Sequence, residues 1–258
     1  MGPCAALALT LPLLLAACGG ADDRQAQGET ADWRYSGDLA PRHWATLDPA
    51  YHLCGSGRAQ SPINLAGAQH APVAPLRPAY RRTGFRLLDT GHTLEAEPVA
   101  PAGGIALGRT RYRLTEFHFH APSEHRLAGR RFKLELQLVH RSDDGRVVAL
   151  AVFIREGRQE GALSGLLREP LPLPEVTGGS SQSAPATLNP VDLLPRSRAT
   201  YRYTGSLTTP PCTEGIRWIV FRQPIELSRD QILAFVHRYD GINRPLQPLN
   251  GRIIALST

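Results

Sequence analysis

The chain has 258 residues, 42% of them hydrophobic, and a formal net charge of +6. That is long enough for one large domain with a real core, and too polar for a multi-span membrane protein. The charge excess is carried by arginine, since Lys133 is the only lysine. The basic residues are scattered and not interleaved with aromatics, which argues against nucleic acid as a partner and for a solvated basic surface.

The first segment in chain order belongs to processing. "MGPCAALALTLPLLLAACGG" is apolar from Ala5 to Ala17 but interrupted by Pro12. It is too short for a spanning helix, which needs about 20 apolar residues. It resembles a secretory signal, although the usual positive start is missing. "LAAC", residues 15–18, resembles a bacterial lipobox, in which the cysteine becomes the lipidated first residue. Residues 1–18 are therefore expected to be a lipoprotein-type signal peptide with Cys18 lipidated; ordinary soluble secretion is the alternative. Residues 19–32 read as a polar tether and 33–258 as a single domain. The expected location is the periplasm or cell envelope, with membrane contact only through this anchor. Cys54 and Cys212 then remain in an oxidising compartment. A disulfide between them is the economical expectation, and two free buried thiols are the alternative.

From about residue 60 onward the chain is a series of short runs bounded by Gly, Pro, Asn and Asp. "GFRLLDTG", "HTLEAEP", "RYRLTEFHFH", "FKLELQLVH", "VVALAVFIRE", "YRYTGSLTT" and "IRWIVFRQ" alternate or carry β-branched and aromatic residues, as strands do. "RSDDGRV" reads as a hairpin turn on Asp-Gly. "SRDQILAFVHRY" reads as a helix capped by Ser228, with a stripe at Ile232, Leu233, Phe235 and Val236. "EGALSGLLRE" is a weaker helical signal, and residues 170–190 read as a loop. The expectation is a mainly β (α+β) single domain with a large sheet and short peripheral helices.

Side chains alternate along a strand, so Glu116, His118 and His120 share one face and Phe117 and Phe119 fill the other. Two imidazoles two residues apart, about 7 Å between Cα atoms, can reach one metal ion. On the next strand Glu135, Gln137 and Val139 share a face, and His140 lies on the opposite one. His140 is thus a poor third ligand. A solvent-facing histidine pair without metal is the alternative for such a pair alone.

Other stretches decide between these. "FHFHAPSEH", "LELQLVH" and "GSLTTPPCTEGIRWIV" resemble the zinc-site motifs of the α-carbonic anhydrases, in the same order and at the same spacings. "GRAQSPINL", "DTGHTLE" and "NRPLQPLNGR" match as well, so the resemblance runs from about Trp33 to Arg252. It implies a twisted, mostly antiparallel sheet of about ten strands and reversible hydration of CO2 to bicarbonate on Zn2+. His118 and His120 align with two zinc ligands, with water as a further ligand. Thr208 aligns with the threonine that hydrogen-bonds the zinc-bound hydroxide, and Glu124 with the carboxylate that holds that threonine. His92 aligns with the proton shuttle, a task suited to an imidazole because it titrates close to neutrality. Val139, Leu207 and Trp218 align with the apolar CO2 wall, and Thr209 stands beside it. Ala149 takes a position usually filled by a larger aliphatic residue, which would widen that wall. Cys54 and Cys212 match the disulfide of secreted members. The state is expected to be monomer or dimer.

The chain departs from the family where the third ligand is histidine and it has Gln137. Glu116 replaces a usual glutamine and can still accept the remaining N–H of the first zinc histidine. Glu135 aligns with the carboxylate that grips the third histidine, and here it can accept from the Gln137 amide and turn its oxygen toward the metal. A two-His, one-Gln set resembles the arrangement proposed for the eta class. The alternative is a binding module that has lost its zinc, as in the carbonic anhydrase-related proteins.

Overall fold

The computed structural model describes residues 1–2, 32–159, 161–169, 171, 181–183 and 187–257. Contacts divide the chain into Met1–Thr30 and Ala31–Thr258. The expected signal peptide beyond Gly2, with Cys18, and the expected tether up to residue 31 lie outside the described residues.

Among the described residues thirteen strands form one sheet. In chain order they are β1 (Gln69–His70), β2 (Leu76–Tyr80), β3 (Phe85–Asp89), β4 (Leu94–Pro98), β5 (Gly103–Leu107), β6 (Thr110–His120), β7 (Leu134–Arg141), β8 (Val147–Glu156), β9 (Ser181–Ser183), β10 (Thr200–Ser206), β11 (Glu214–Phe221), β12 (Ile225–Leu227) and β13 (Ala255–Ser257). Ten lie on one path, β1-β13-β10-β11-β8-β7-β6-β4-β3-β9, while β12 joins β8, and β2 and β5 extend from β6. Among the described strands only the β1–β13, β11–β8 and β12–β8 pairings are parallel. All seven runs expected as strands are strands. The short extra ones were harder to see because β2 carries Pro78 and β5 opens on Gly103 and Gly104, residues that weaken a strand signal.

The Asp-Gly turn joins β7 to β8, with Gly145 at φ +81 where a side chain would be strained. The helix α1 (Trp44–Leu47) and helix α2 (Leu53–Ser56) are single turns. The helix α3 (Arg229–Val236) starts at Ser228, whose side chain accepts from Gln231 N while the Gln231 side chain accepts from Ser228 N. It buries Ile232, Ala234 and Phe235, so Ala234 takes the place expected of Leu233. "EGALSGLLRE" is not an α-helix: only Gly161–Leu163 forms a 3-10 turn. Its two glycines oppose a longer helix, and burial of Leu163, Leu166 and Leu167 is met by a compact loop instead. Within residues 170–190, β9 pairs with β3, so that stretch is not wholly loop.

The sheet carries an apolar cluster on each face. Phe117, Phe119, Leu134, Leu136 and Leu138 belong to the larger one. Ala149, Ala151, Phe153, Tyr203, Trp218 and Val220 belong to the other. Simple alternation along β6 would put Tyr112 and Leu114 on the side of His118. Both are instead buried with Phe117 and Phe119. The pairing register of β6 on β7 shifts between Leu114 and Glu116. This bulge reverses the alternation and sends Glu116, His118 and His120 to the opposite face.

Candidate metal centre

The antiparallel register sets His118 directly across from Gln137, Glu116 across from Val139 and His120 across from Glu135. Directly opposed residues share a face. On the next strand Ala149 opposes Val139, and Trp218 follows beside Ala149. The result is a cavity of about 430 Å3 lined by His118, His120, Gln137, Thr208, Thr209 and His92, with Val139, Ala149, Leu207 and Trp218 as its apolar wall. His140 points away, its Nε2 2.7 Å from the Tyr80 hydroxyl, and burial pushes its pKa down to about 4.

The two histidines are held by their Nδ1 atoms. His118 Nδ1 lies 2.9 Å from Glu116 Oε2, and His120 Nδ1 lies 2.8 Å from the Ile242 carbonyl oxygen. Both partners only accept, so each Nδ1 carries a proton and Nε2 is the ring nitrogen left for a metal. The rings stand 5.0 Å apart. Among the described residues His120 Nε2 is buried without a hydrogen-bond partner, and it lies 3.4 Å from Glu124 Oε2. Burial holds the His120 pKa below its ordinary value. A cation in the cavity would give this buried Nε2 the partner it lacks among the described residues. Burial also opposes charge on His118, but the Glu116 carboxylate outweighs it and pushes that pKa up to about 9.

Gln137 Nε2 donates to Glu124 Oε2 at 2.9 Å and to Glu135 Oε1 at 3.0 Å. Glu124 Oε1 accepts from Arg244 N at 2.9 Å, and among the described residues Thr208 makes no hydrogen bond to Glu124. Thr208 is 4% exposed and lies at the cavity wall. Among the described residues no three His, Cys, Asp or Glu side chains can hold a metal ion together. The donor set that lines the cavity is two imidazoles and an amide, chemistry that suits zinc, though an amide oxygen is a weaker ligand than imidazole.

Several residues escaped the sequence reading. His125 gives its N–H to Glu135 Oε2 and faces Glu135 Oε1 with Nδ1, both at 2.8 Å. Its Nε2 is 2.6 Å from the Tyr203 hydroxyl, which is 2.8 Å from Ser61 Oγ. Burial works against charge on Glu135, yet His125 outweighs it and holds the carboxyl below its usual range. The only signal for His125 was its place after Glu124 in "PSEH". Glu95 faces His118 from β4, and burial, then Glu116, push its carboxyl up to about 7. His92 stacks on Trp33 with centroids 3.6 Å apart, and its Nε2 lies 2.8 Å from the Trp33 carbonyl. The disulfide between Cys54 and Cys212 is formed.

A family profile described as "Eukaryotic-type carbonic anhydrase" matches residues 39–258. The chain belongs to the eukaryotic-type, or alpha, carbonic anhydrase family. It is 37% identical over 247 residues to a carbonic anhydrase of Pectobacterium carotovorum, covering 95% of this chain and 98% of that one. The solved alpha-carbonic anhydrase of Thermovibrio ammonificans, in complex with the inhibitor sulfanilamide, superimposes with a TM-score of 0.81 at 39% identity. That match covers 87% of this chain and 99% of the other. A dioscorin complexed with ascorbate superimposes with a TM-score of 0.78 at 33% identity, covering 87% and 97%. The alpha-carbonic anhydrase family is normally zinc-dependent.

Proposed function

We propose that this protein catalyses the reversible hydration of CO2 to bicarbonate and a proton, with Zn2+ held by His118, His120 and Gln137. Zinc in such a site supplies a Lewis acid that makes a nucleophile of water at neutral pH. Glu116 and the Ile242 carbonyl keep the imidazoles in the tautomer that offers Nε2. Val139, Ala149, Leu207 and Trp218 give a small neutral substrate an apolar surface from which water gains no hydrogen bond. Trp218 Nε1 is spent on the Ser206 carbonyl at 3.0 Å, so it adds no donor there. Thr208 and Thr209 offer hydroxyls to the oxygens of the reacting molecule. His92 takes the proton outward: with Nε2 donating to Trp33, Nδ1 is the atom that accepts.

The observation that carries this reading is the buried His120 Nε2, unpartnered and facing Glu124 Oε2. Stopped-flow CO2 hydration by zinc-supplemented protein lacking residues 1–18 tests it, with metal content measured on the same sample. Stoichiometric zinc and a rate well above that of His118→Ala are expected. Equal rates in the two proteins would sink the proposal.

One observation favours a second reading, a metal-free binding module. Among the described residues no group of three His, Cys, Asp or Glu side chains converges on a metal position. Dioscorin complexed with ascorbate is a relative of this fold carrying a small organic ligand. Absence of zinc from the supplemented protein, together with an inactive cavity that binds such a ligand, would favour this reading.

The Cys54–Cys212 bond supports an extracytoplasmic location, since such bonds persist in oxidising compartments. We further propose that residues 1–18 direct export and that Cys18 carries the lipid. Fatty-acid labelling of the full chain in cells should be lost in Cys18→Ser; labelling that survives would remove the anchor.

A further inference from the structure

Resting on the reading of Gln137 as a zinc ligand, we infer that Glu124 is a positioning residue for Gln137. It grips the amide jointly with Glu135 so that Oε1 is left for the metal, and this replaces the partnership with Thr208 that its place in the chain suggests.

The argument starts from donors and acceptors. A primary amide has two N–H protons, and an ionised carboxylate only accepts. Gln137 Nε2 lies 2.9 Å from Glu124 Oε2 and 3.0 Å from Glu135 Oε1. Both protons are spent, and a flipped amide would set its oxygen against two carboxylates. The orientation is thus fixed by charge. Neither carboxylate is free to turn away. Glu124 Oε1 accepts from the Arg244 backbone, and Glu135 takes two bonds from His125. Glu124 is 1% exposed and Glu135 0%, so water does not compete for these bonds. One carboxylate fixes one proton and lets the amide plane turn; two carboxylates fix the plane. The oxygen is then the amide atom left for the cavity that Gln137 lines with His118 and His120. The device belongs to an amide. An imidazole at position 137 with one nitrogen toward the cavity has a single N–H for the interior, and Glu135 alone can hold it.

The test is zinc affinity, measured by chelator competition in five proteins: wild type, Glu124→Gln, Gln137→His, the double variant of these two, and Gln137→Ala, each checked by thermal unfolding. Glu124→Gln should weaken zinc about tenfold or more in the wild-type background, in line with the loss of a residue that orients a ligand. In the Gln137→His background the same change should weaken it by less than about threefold. Equal losses in both backgrounds, or none in either, would overturn the role of Glu124 while leaving Gln137 a ligand. Gln137→Ala that binds zinc as tightly as wild type would instead reject the ligand reading and this proposal with it. A measurement on metal-free wild type needs no Glu124 variant to fold. The Gln137 side-chain N–H2, assigned by NMR through its loss in Gln137→His, should exchange slowly with solvent. Exchange at the rate of an exposed amide would also overturn the proposal.

Discussion

Gln137→His is expected to tighten zinc binding by about 10²-fold, or about 2.7 kcal/mol. An imidazole nitrogen is a stronger ligand for zinc than an amide oxygen. The register keeps any side chain at this position directly across from His118, so the new ring starts from the correct strand and face. Glu135 is already placed to accept the remaining ring N–H, because it now accepts from the Gln137 amide and is itself braced by His125. Release of the amide also frees Glu124 Oε2, which Thr208 can then engage. The gain is limited by that rearrangement, since Glu124 is buried and must find a new donor. Competition against a chelator of known affinity measures the change directly. Equal zinc affinity in wild type and Gln137→His would remove Gln137 from the ligand set.

Removing the disulfide by Cys54→Ser with Cys212→Ser is expected to cost about 5 kcal/mol. The bridge closes a loop of sequence separation 158, and the chain-entropy contribution grows with loop length. For a domain of this size that corresponds to a fall in Tm of about 10–20 °C. The local structure gives the bond a second task. Cys212 lies at φ +58 in the turn that follows Thr208 and Thr209, where its N–H donates to the Thr209 carbonyl at 2.9 Å. Gln60 Nε2 holds the Cys212 carbonyl at 3.0 Å, and the Arg244 guanidinium holds the Cys54 carbonyl at 2.9 Å. Arg244 in turn gives its backbone N–H to Glu124. The bridge therefore ties the threonine loop to the base of the candidate metal site. Thermal unfolding with and without reductant is the measurement. A Tm within about 2 °C of wild type in the double variant would contradict both the loop-entropy argument and the bracing role.

Much of this was legible in the sequence because it depends on local pattern. Alternation marked β6, β7 and β8, and Asp-Gly marked the turn between the last two. The parity that pairs Glu135, Gln137 and Val139 excluded His140, and the structure turns His140 to the opposite side, against Tyr80. The resemblance supplied Gln137 at the third-ligand position and Glu135 as its support. The alternation in β6, however, is not continuous. Without the shift between Leu114 and Glu116, the histidines would share a side with Tyr112 and Leu114. A bulge is one extra residue in a pairing, and nothing in the residue types of "RLTEF" announces it.

The sequence by itself determined the family, the strand-rich class, the histidine pair and the chemistry of each candidate residue, because residue type and short-range period carry that information. Only the tertiary structure decided who touches whom. The Ile242 carbonyl reaches His120 across 122 positions, and the Arg244 backbone reaches Glu124 across 120. Trp33 meets His92 across 59. Backbone carbonyls and N–H groups are chemically alike at every position, so no residue type reveals which one will arrive. The competition for Glu124 was hidden for the same reason. Thr208 and Gln137 can both donate to it, and in the fold Gln137 of β7 is the one that donates to Glu124, which lies in the connection between β6 and β7.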